Sequence, residues 1–591
     1  MFCLSSRLQL SAAALLCLPM LLASPRAEAC GGLFCDNFNL PEPMPVDQNS
    51  EDILFVTDGE SIEVHVRIAY TGEAERFAWV VPIQAIPEVA VGSDALFNAM
   101  GGATQPAWGR QTEYECESDI PPPPDDEWES DGDPTTGGGT DTDDGGGGPS
   151  VVFEETVGAF EVIVLQGGTA QEVVDFLNAN DYQQDQDAVP IMQEYLDEDF
   201  LFAAVKLTAA ADVDEIHPLA FTFPGDEPCV PLRLTRIAAQ EDMQIRTYFL
   251  GDERWAPSNY AHVVLNPLAV NWGSGAYGNQ VVSQLGQAID DAGGQAFATE
   301  YSGTSSNVNT QSVYRMSWDS LSFNNGPAAA LQDLVDVGLI NHPLIIPLLM
   351  QYIPPPDGFS ANEFWNFIFD FEDLIDLEAW DPDAFMADLE ERIIGPGRHA
   401  VDMLEAWPTL TRMRAIMSPE EMLEDPVFHP NADLPDVARG RTTTELLMCG
   451  LVDRTFIVDL EGEDYGVCVP QGTTYPEWEM PAALRIEQVP LMGPPQVVTD
   501  NRELIDSVFD SHQESVVCTS YPEGETGGDG DGDGDGSGTD GDSAGGTSGG
   551  DPGLDDGNAS CGCSTPSGEA PFGAALGLLV LGLIGPWRCR D

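Results

Sequence analysis

Two acidic, glycine-rich segments divide the chain and restrict where a folded core can form. Residues 119–148 and 519–560 hold 10 and 11 acidic residues and no basic ones. Segments of this composition cannot bury enough apolar surface to offset the entropy lost on ordering, so both are predicted to be disordered. Folded structure is therefore expected before residue 118 and between residues 151 and 518.

The sequence outside these two segments is acidic as well. The whole chain has 100 Asp and Glu residues against 22 Lys and Arg, a net charge of −78, and its single lysine is Lys206. Binding to nucleic acid or to anionic lipid needs clustered Lys and Arg that release counterions. The composition therefore predicts no nucleic-acid partner and leaves loose attraction of divalent cations as a hypothesis.

The first 29 residues have the three parts of a secretory signal peptide. Arg7 gives the positive start, residues 8–22 the apolar stretch, and Ala27-Glu28-Ala29 a small-x-small cleavage site for signal peptidase. Cleavage there would make Cys30 the first mature residue. The alternative is a lipoprotein signal that ends in an acylated Cys30, although Ala27 and Glu28 do not fit its usual pattern.

The C-terminal residues form a second membrane-handling signal. Cys561 and Cys563 follow the acidic tract, an apolar stretch covers residues 570–587, and Arg588 and Arg590 close the chain. A short span with a basic end stops transfer and keeps its arginines on the cytoplasmic side. The arrangement resembles the MYXO-CTERM sorting signal of myxobacterial surface proteins, which implies a sorting protease acting near these cysteines. A plain C-terminal transmembrane anchor is the alternative, and both predict a protein on the outside of the cell envelope.

The cysteines indicate an oxidising compartment. Of 12 cysteines, seven lie between the two terminal signals, and they are widely spaced. In an exported chain this favours structural disulfides. The candidate pairs are Cys30 with Cys35 and Cys449 with Cys468, which are sequence neighbours in turn-rich surroundings. There is no CxxC pair and no cysteine near a histidine at ligand spacing, so no zinc site is predicted.

Hydrophobic patterning predicts an α+β fold. Alternating or apolar runs separated by turn residues indicate an antiparallel, β-rich N-terminal half with a few capping helices, and residues 328–420 show helical spacing. The expected order is a signal peptide (1–29), a β-rich part (30–117), a disordered acidic insertion (118–150), an α+β continuation (151–325), a helix-rich region (326–518), a disordered acidic stalk (519–560) and a sorting or transmembrane signal (561–591).

Several blocks of the first 430 residues resemble one family. They are Asp58-Gly59, Phe77-Ala78-Trp79-Val80-Val81-Pro82-Ile83, Asp94-Ala95-Leu96-Phe97, the stretch from Asp291 to Phe297, and the stretches beginning at Thr411 and Asp425. Together they are similar to the DUF2330 family of uncharacterised exported bacterial proteins, and they place residues 30–117 and 151–325 in one domain of that kind. The resemblance implies no catalytic residues, because the family has no assigned activity.

Two motifs match known sites in letters but not in context. Gly273-Ser274-Gly275-Ala276-Tyr277-Gly278 fits the GxGxxG of dinucleotide sites, yet Asn266-Pro267 interrupts the preceding strand and no acidic ribose ligand ends a following one. A flexible connector is the better interpretation. Gly541-Asp542-Ser543-Ala544-Gly545 spells a nucleophile elbow inside the acidic tract, where no strand or helix is expected.

The acidic stalk also contains weak candidates for Ca²⁺ ligands. They are Asp529, Asp531, Asp533 and Asp540, which match some positions of a calcium loop but lack flanking helices. A solvated spacer is the better interpretation of this tract. No other cofactor is predicted.

The remaining polar residues do not indicate a catalytic site. Seven histidines are scattered without HExxH or an adjacent nucleophile, and Trp255, Tyr260 and Trp272 read as core aromatics rather than a sugar-binding platform. We therefore predict a surface-displayed structural or adhesive binding protein of unknown ligand rather than an enzyme. The alternative is an exported hydrolase whose site is assembled in space, which would show as a pocket joining a histidine to an acid and a nucleophile.

Overall fold

A large mixed β-sheet organises the part of the chain that the structure describes. The structure is a computed structural model, and it describes residues 47–71, 78–115, 149–180, 182, 186–208, 215–356, 358–448 and 453–516. The predicted signal peptide, the stalk and the C-terminal signal lie outside these residues, as does nearly all of the predicted acidic insertion.

The described residues form 20 strands. They are β1 (Asp47–Thr57), β2 (Ser61–Thr71), β3 (Ala78–Ile83), β4 (Glu88–Val91), β5 (Ala107–Glu115), β6 (Ser150–Val157), β7 (Phe160–Gln166), β8 (Leu201–Leu207), β9 (Leu219–Pro224), β10 (Ala239–Gly251), β11 (Trp255–Pro257), β12 (Ala261–Leu265), β13 (Ala296–Thr304), β14 (Thr409–Met417), β15 (Phe428–Pro430), β16 (Gly440–Met448), β17 (Arg454–Leu460), β18 (Glu463–Val469), β19 (Ala483–Gln488) and β20 (Gln496–Asp500).

The same residues form 11 α-helices. They are α1 (Asp94–Thr104), α2 (Ala170–Ala179), α3 (Ala188–Asp197), α4 (Leu232–Thr235), α5 (Gly278–Asp291), α6 (Pro327–Asp336), α7 (Ile345–Tyr352), α8 (Ala361–Asn366), α9 (Pro382–Leu389), α10 (Gly395–Ala406) and α11 (Arg502–Ser515). The predicted α+β class is confirmed.

The central sheet has ten strands in the order β20-β19-β12-β13-β14-β10-β1-β2-β9-β4. Its pairs are antiparallel except for β1 with β10 and β12 with β13, which are parallel. Two four-stranded sheets, β3-β8-β7-β6 and β18-β17-β16-β5, and the two-stranded pair β11-β15 complete the described strands. Strands from both halves of the sequence therefore share one sheet, and β14 lies between β10 and β13.

Apolar residues on both faces of β1 explain its central position. Ile53 and Phe55 pack into one core cluster, whereas Leu54 and Val56 pack into another on the opposite face. A strand covered on both faces reads as a continuous apolar run rather than an alternation. One face meets the β3-β8-β7-β6 sheet, and the other meets α1 and α10.

The turn residues Asp58-Gly59 and Thr71-Gly72 predict that the first three strands form a meander, which they do not. β1 and β2 pair as a hairpin, and the Asp58 carboxylate accepts hydrogen bonds from the amides of Glu60 and Ser61 in the turn. β3 instead pairs with β8 in a separate sheet. A meander pattern fixes local strands, but not the sheet that each one joins.

The outer face of the β3-β8-β7-β6 sheet is covered by α2 and α3. The sequence Thr169-Ala170-Gln171-Glu172 predicts a capping box, and it is present. The Thr169 hydroxyl accepts from the Glu172 amide, and the Glu172 carboxylate accepts from the Thr169 amide. Val173, Val174 and Leu177 of α2 are fully buried against this sheet. The helix therefore begins and packs as its sequence predicts.

Helices and strands succeed one another in the second half of the chain. Helices α6, α7, α9 and α10 occupy the predicted helical stretch, but β14 begins at Thr409 and six more strands follow it before α11. Ser418-Pro419 predicts a helix start with Ser418 as N-cap, but residues 419–421 form a turn in which the Ser418 amide donates to the Glu421 carboxylate. β14, β16 and β19 pair with strands that are far away in the sequence, so local periodicity does not show which sheet they join.

Residues 355–373 form a separate unit. Within it, Ser360 and Glu363 make a capping box at the start of α8. The rings of Phe359 and Phe364 both contact Phe371. This unit is therefore held by a small aromatic cluster of its own.

Candidate ligand-binding cavity

A cavity of about 660 Å³ opens where the β12, β13 and β19 part of the central sheet meets residues near the ends of β5, β16 and β17. Its apolar wall includes Val263 and Leu265 of β12, Leu285 of α5 and Leu484 of β19. Its polar lining comes from β12, β13, β16, β17, β19 and the segments after β10 and β17. The volume lies in the range of roughly 300–1,000 Å³ found for small-molecule sites.

His262 is the centre of a hydrogen-bonded chain on this wall. Its Nδ1 lies 3.3 Å from a Glu487 carboxylate oxygen, and its Nε2 lies 3.0 Å from the Thr299 hydroxyl. His262 and Glu487 face each other directly across the β12–β19 pair, which brings both side chains to one face. The sheet register therefore assembles a hydroxyl, an imidazole and a carboxylate.

The hydrogen bonds define the tautomer of His262. The Thr299 amide donates to Nε2 at 3.3 Å, so Nε2 is the unprotonated nitrogen and Nδ1 carries the proton toward Glu487. Burial lowers the pKa of His262 below its ordinary value, and the hydrogen bond with Glu487 only partly opposes that shift. Burial also opposes ionisation of Glu487, but hydrogen bonds from His262 and Arg485 outweigh it and lower the pKa of this carboxyl. The pair is a neutral imidazole beside a carboxylate.

Two arginines in the cavity make no ion pair with a carboxylate of the described residues. Arg254 donates to the Thr299 hydroxyl at 3.0 Å and to the Pro435 carbonyl at 2.7 Å, and its buried Nε has no hydrogen-bond partner among the described residues. Arg441 donates to backbone carbonyls, including that of Gly440 at 3.2 Å. Burial lowers the pKa of Arg254 to about 10 and lowers that of Arg441, so both remain cationic at neutral pH.

The acidic side chains of the cavity have partners of their own. Glu487 and Glu461 share Arg485. Glu300 pairs with two arginines of β14, which reach it at 2.6 Å and 3.1 Å. Asp459 accepts hydrogen bonds from the Gly462 amide. Arg254 and Arg441 are therefore the cations of this lining that have no carboxylate partner among the described residues, and Asp459 is an acidic residue of the lining that has no cationic partner among them.

This combination defines what the cavity can hold. An apolar wall with two desolvated guanidinium groups suits an organic anion that has an apolar body. The His262 chain offers a second possibility, because a hydroxyl hydrogen-bonded to a neutral imidazole that is oriented by a carboxylate is the arrangement of a nucleophile, base and orienting acid.

None of the site residues predicted from sequence lies in this cavity. Asp529, Asp531, Asp533 and Asp540 fall outside the described residues, as do Cys30, Cys35, Cys449, Cys561, Cys563, Arg588 and Arg590. Cys468 is on β18, and its proposed pairing with Cys449 stays a prediction. Cys229 is a free thiol.

The glycine motif at residues 273–278 is part of a connection before α5. Gly278 is the first residue of that helix, and 12 residues separate the end of β12 from it. The Asn271 side chain accepts from the Gly273 amide, and Ser274 donates to the Asn271 carbonyl. This self-bonded turn differs from the tight strand-to-helix loop of a dinucleotide site. The aromatics Trp255 and Trp272 nearby are buried, as expected for core residues.

The residues of the cavity carry no strong sequence signal. Arg254 and Arg441 stand out only as basic residues in an acidic chain, and His262 as a histidine within an apolar strand. Their meeting depends on pairing across more than 200 residues of sequence between β12 and β19.

The geometry thus defines an α+β protein with a partly polar cavity at a junction of sheets. The family model described as "Uncharacterized protein conserved in bacteria (DUF2330)" matches residues 24–321, half of the chain. The chain belongs to this family. No curated protein matches it.

Solved structures show only a distant likeness. One is a mutated baculovirus P35 after caspase cleavage, with 10% identity, 37% of this chain and 76% of that chain covered, and a TM-score of 0.20. Another is baculovirus P35, with 12% identity, 39% and 76% covered, and a TM-score of 0.20.

Among the described residues, helices long and apolar enough to cross a bilayer are absent. The apolar stretch 570–587, for which a membrane span is predicted, lies outside those residues.

Proposed function

We propose that this protein is an exported, cell-surface binding protein whose cavity holds a small organic anion with an apolar body. The observation that carries the proposal is the pair Arg254 and Arg441. In a chain with a net charge of −78, two partly buried arginines without a carboxylate partner among the described residues favour an anionic ligand. Most other described arginines are paired, as Arg233 is with Asp425.

Titration calorimetry with octanoate tests this function. Octanoate has a carboxylate for the arginines and an alkyl chain for the apolar wall, whereas octanol and octylamine lack the anion. We expect saturable binding of octanoate alone. Because each charge-assisted hydrogen bond contributes about 1.5–3 kcal/mol, Arg254→Gln and Arg441→Gln should each weaken binding by at least about tenfold.

A matched control uses an arginine that also has no carboxylate partner within the described part of the chain and does not line the cavity. Arg315 is exposed and donates to the Gln311 carbonyl, so Arg315→Gln should leave octanoate binding unchanged. Equal binding of octanoate and octanol, or equal loss in all three variants, would contradict an anion site at these two residues.

A second candidate function, an exported hydrolase, is favoured by the Thr299–His262–Glu487 chain. Arg254 also donates to the Thr299 hydroxyl, and a cation beside this oxygen favours its deprotonated, nucleophilic form. Hydrolysis of p-nitrophenyl octanoate by the full chain, abolished by Thr299→Val and by His262→Gln but retained by Thr299→Ser, would support catalysis. Turnover unaffected by these changes would exclude this site as its source.

The predicted export signals complete the proposal. Residues 1–29, the cysteines at 561 and 563 and the apolar segment 570–587 support secretion followed by anchoring or sorting at the envelope, with the stalk as a spacer and the Cys449–Cys468 pair closed in an oxidising space. Protease added to intact cells should release the folded part. Complete protection in intact cells, with cleavage after lysis, would show that the protein does not face outward.

A further inference from the structure

Three side chains from β2 and α10 meet at a single carboxylate oxygen. Glu63 Oε1 lies 2.6 Å from His65 Nε2 and 2.6 Å from His399 Nε2. The potential ligand atoms of all three residues lie within 4.8 Å of one another. No residue of this cluster lines the cavity described above.

The positions of these three side chains are set by β2, which carries Glu63 and His65, and by α10, which carries His399. Glu63 and His65 are two residues apart on β2, so they project from the same face of the strand. β2 is an interior strand of the central sheet, paired with β1 and β9. On this face, Leu54 and Val56 of β1 pack in one core cluster with α10 residues, including Ala400. Core packing therefore holds His399 opposite the Glu63–His65 pair.

The cluster is electrostatically unusual, with one carboxylate serving two imidazoles. Burial opposes ionisation of Glu63, but hydrogen bonds from His399 and His65 outweigh it and hold the pKa of this carboxyl far below its usual range. The hydrogen bond to Glu63 in turn raises the pKa of His399. A cation other than a proton could take the same central position.

We propose that Glu63, His65 and His399 form a binding site for a divalent transition-metal ion of the zinc class. Two imidazole nitrogens and one carboxylate oxygen are the three-ligand set that zinc takes when a fourth position is left to water or a ligand. Imidazole ligands select against Ca²⁺ and Mg²⁺, which prefer oxygen. The site would bind zinc through the Nε2 atoms of both histidines and through Oε1 of Glu63.

Binding requires only a small expansion of the cluster. Ligands about 2.0–2.2 Å from a tetrahedral zinc lie roughly 3.3 Å apart, compared with the 2.6 Å contacts present here. The side chain of His399 is 52% exposed, so it can move outward and gives a metal ion access from solvent. His65 is buried and Glu63 is largely buried, and they supply the fixed half of the site.

The surroundings of His65 set an expectation for affinity. Its buried Nδ1 has no hydrogen-bond partner among the described residues. Zinc-ligating histidines usually donate their second N–H to an acceptor, and loss of such a partner weakens binding by roughly 10- to 100-fold. We therefore expect a site weaker than a closed structural zinc site.

Cobalt titration of the chelator-stripped full chain tests the site. We expect Co²⁺ to produce the intense visible d–d absorption of a four-coordinate site, without the near-ultraviolet band of thiolate ligation, and Zn²⁺ to displace it. His399→Gln should weaken Zn²⁺ binding in calorimetry at least about tenfold, because one of three ligands is lost. Glu63→Gln, checked for folding by circular dichroism, should do the same.

The matched control is His512→Gln, which also removes a histidine from a helix, in this case α11. Its zinc and cobalt binding should equal that of the unmodified chain. The proposal is wrong if the unmodified chain binds neither ion, if His399→Gln binds zinc as tightly as the unmodified chain, or if the cobalt spectrum shows thiolate ligation.

Discussion

Arginine side chains determine much of the buried electrostatics of this protein. The side chain of Glu300 is 9% exposed and lies between Arg412 and Arg414, whose side chains are 3% and 11% exposed. Burying charges is costly, and the cost is offset only when the partners remain together. Glu461 is different, because its ion pair with Arg485 lies at the surface and its side chain is 43% exposed.

Replacing Glu300 with Gln should therefore be strongly destabilising. The change leaves two buried guanidinium groups without their carboxylate, which typically costs about 3–5 kcal/mol. Glu461→Gln is the control and should cost no more than about 1 kcal/mol, because exposed ion pairs contribute little. Urea unfolding of the three proteins measures both values. Similar losses in the two variants would show that burial of the Glu300 pair is not the cause.

The His262 network predicts a loss of stability in acid. The pKa of His262 is lowered in the folded protein from its ordinary 6.5, so below that pH the unfolded chain takes up a proton that the folded chain excludes. Glu487 acts in the same direction below its ordinary 4.5, because its folded pKa is also lowered. The charged groups facing the imidazole are Glu487 and Arg485 of β19 and Arg254 after β10.

Unfolding free energies measured from above pH 6.5 downward should therefore decrease, and His262→Gln should flatten this dependence. His512→Gln, on α11, should keep the slope of the unmodified chain. Parallel slopes for the unmodified chain and His262→Gln would contradict the predicted role of His262.

At the scale of elements, a turn between adjacent strands requires glycine where φ is positive and a neighbouring side chain leaves no room for a Cβ atom. Gly158 joins β6 to β7 with φ +58°, and a Cβ there would lie 2.3 Å from Nε2 of the buried His217. The same His217 nitrogen accepts from the Ala159 amide at 3.1 Å. Gly167 ends the same hairpin region with φ +76°, but a Cβ there would meet open space.

These two glycines give a matched pair of alanine substitutions. Gly167→Ala should cost about 1 kcal/mol, which is the backbone strain alone. Gly158→Ala adds overpacking against His217 and should cost about 1–3 kcal/mol more. Thermal or urea unfolding measures the difference. Equal costs at the two positions would show that the His217 ring moves aside without penalty.

Short sequence patterns predict individual turns and helix caps well, but they do not predict which elements pack or pair with one another. The hairpin turn at Asp58 and the capping box at Thr169 depend only on residues close together in the sequence, and both are confirmed. The alternating run at residues 232–237 predicts a strand, but the structure has helix α4 there, where the Thr235 hydroxyl donates to the Pro231 carbonyl. Tertiary context decides such short runs, because both periods fit them.

The candidate sites could not be predicted for a related reason. Glu63 and His65 on one strand face formed a visible pattern, but His399 is more than 300 residues away and carries no local signal. The same holds for Thr299, His262 and Glu487, which meet only because β13 and β19 flank β12. The alternation of residues along a strand shows which side chains share a face, whereas long-range packing decides which strand pairs with it.

At the scale of the whole molecule, the region matched by the family and the folding unit are not the same. The family match ends at residue 321, but β14 lies beyond it and separates β10 from β13. Nearly every residue of β14 is buried. β5 is also paired in parallel with β16, which lies in the last third of the chain. The sheets of the matched region are therefore completed by later sequence.

A chain that ends at residue 321 should consequently fail to fold cooperatively. It would leave β10 and β13 as open edges and expose the apolar residues that β14 covers, including Met413 and Ala415, which are fully buried here. A chain of residues 30–516 retains every described strand and should unfold in one cooperative urea transition. The shorter chain should show no such transition and should be rapidly digested by protease. Cooperative unfolding and protease resistance of the 30–321 chain would mean that the family-matched region is autonomous and that β14 only adds to a sheet already stable without it.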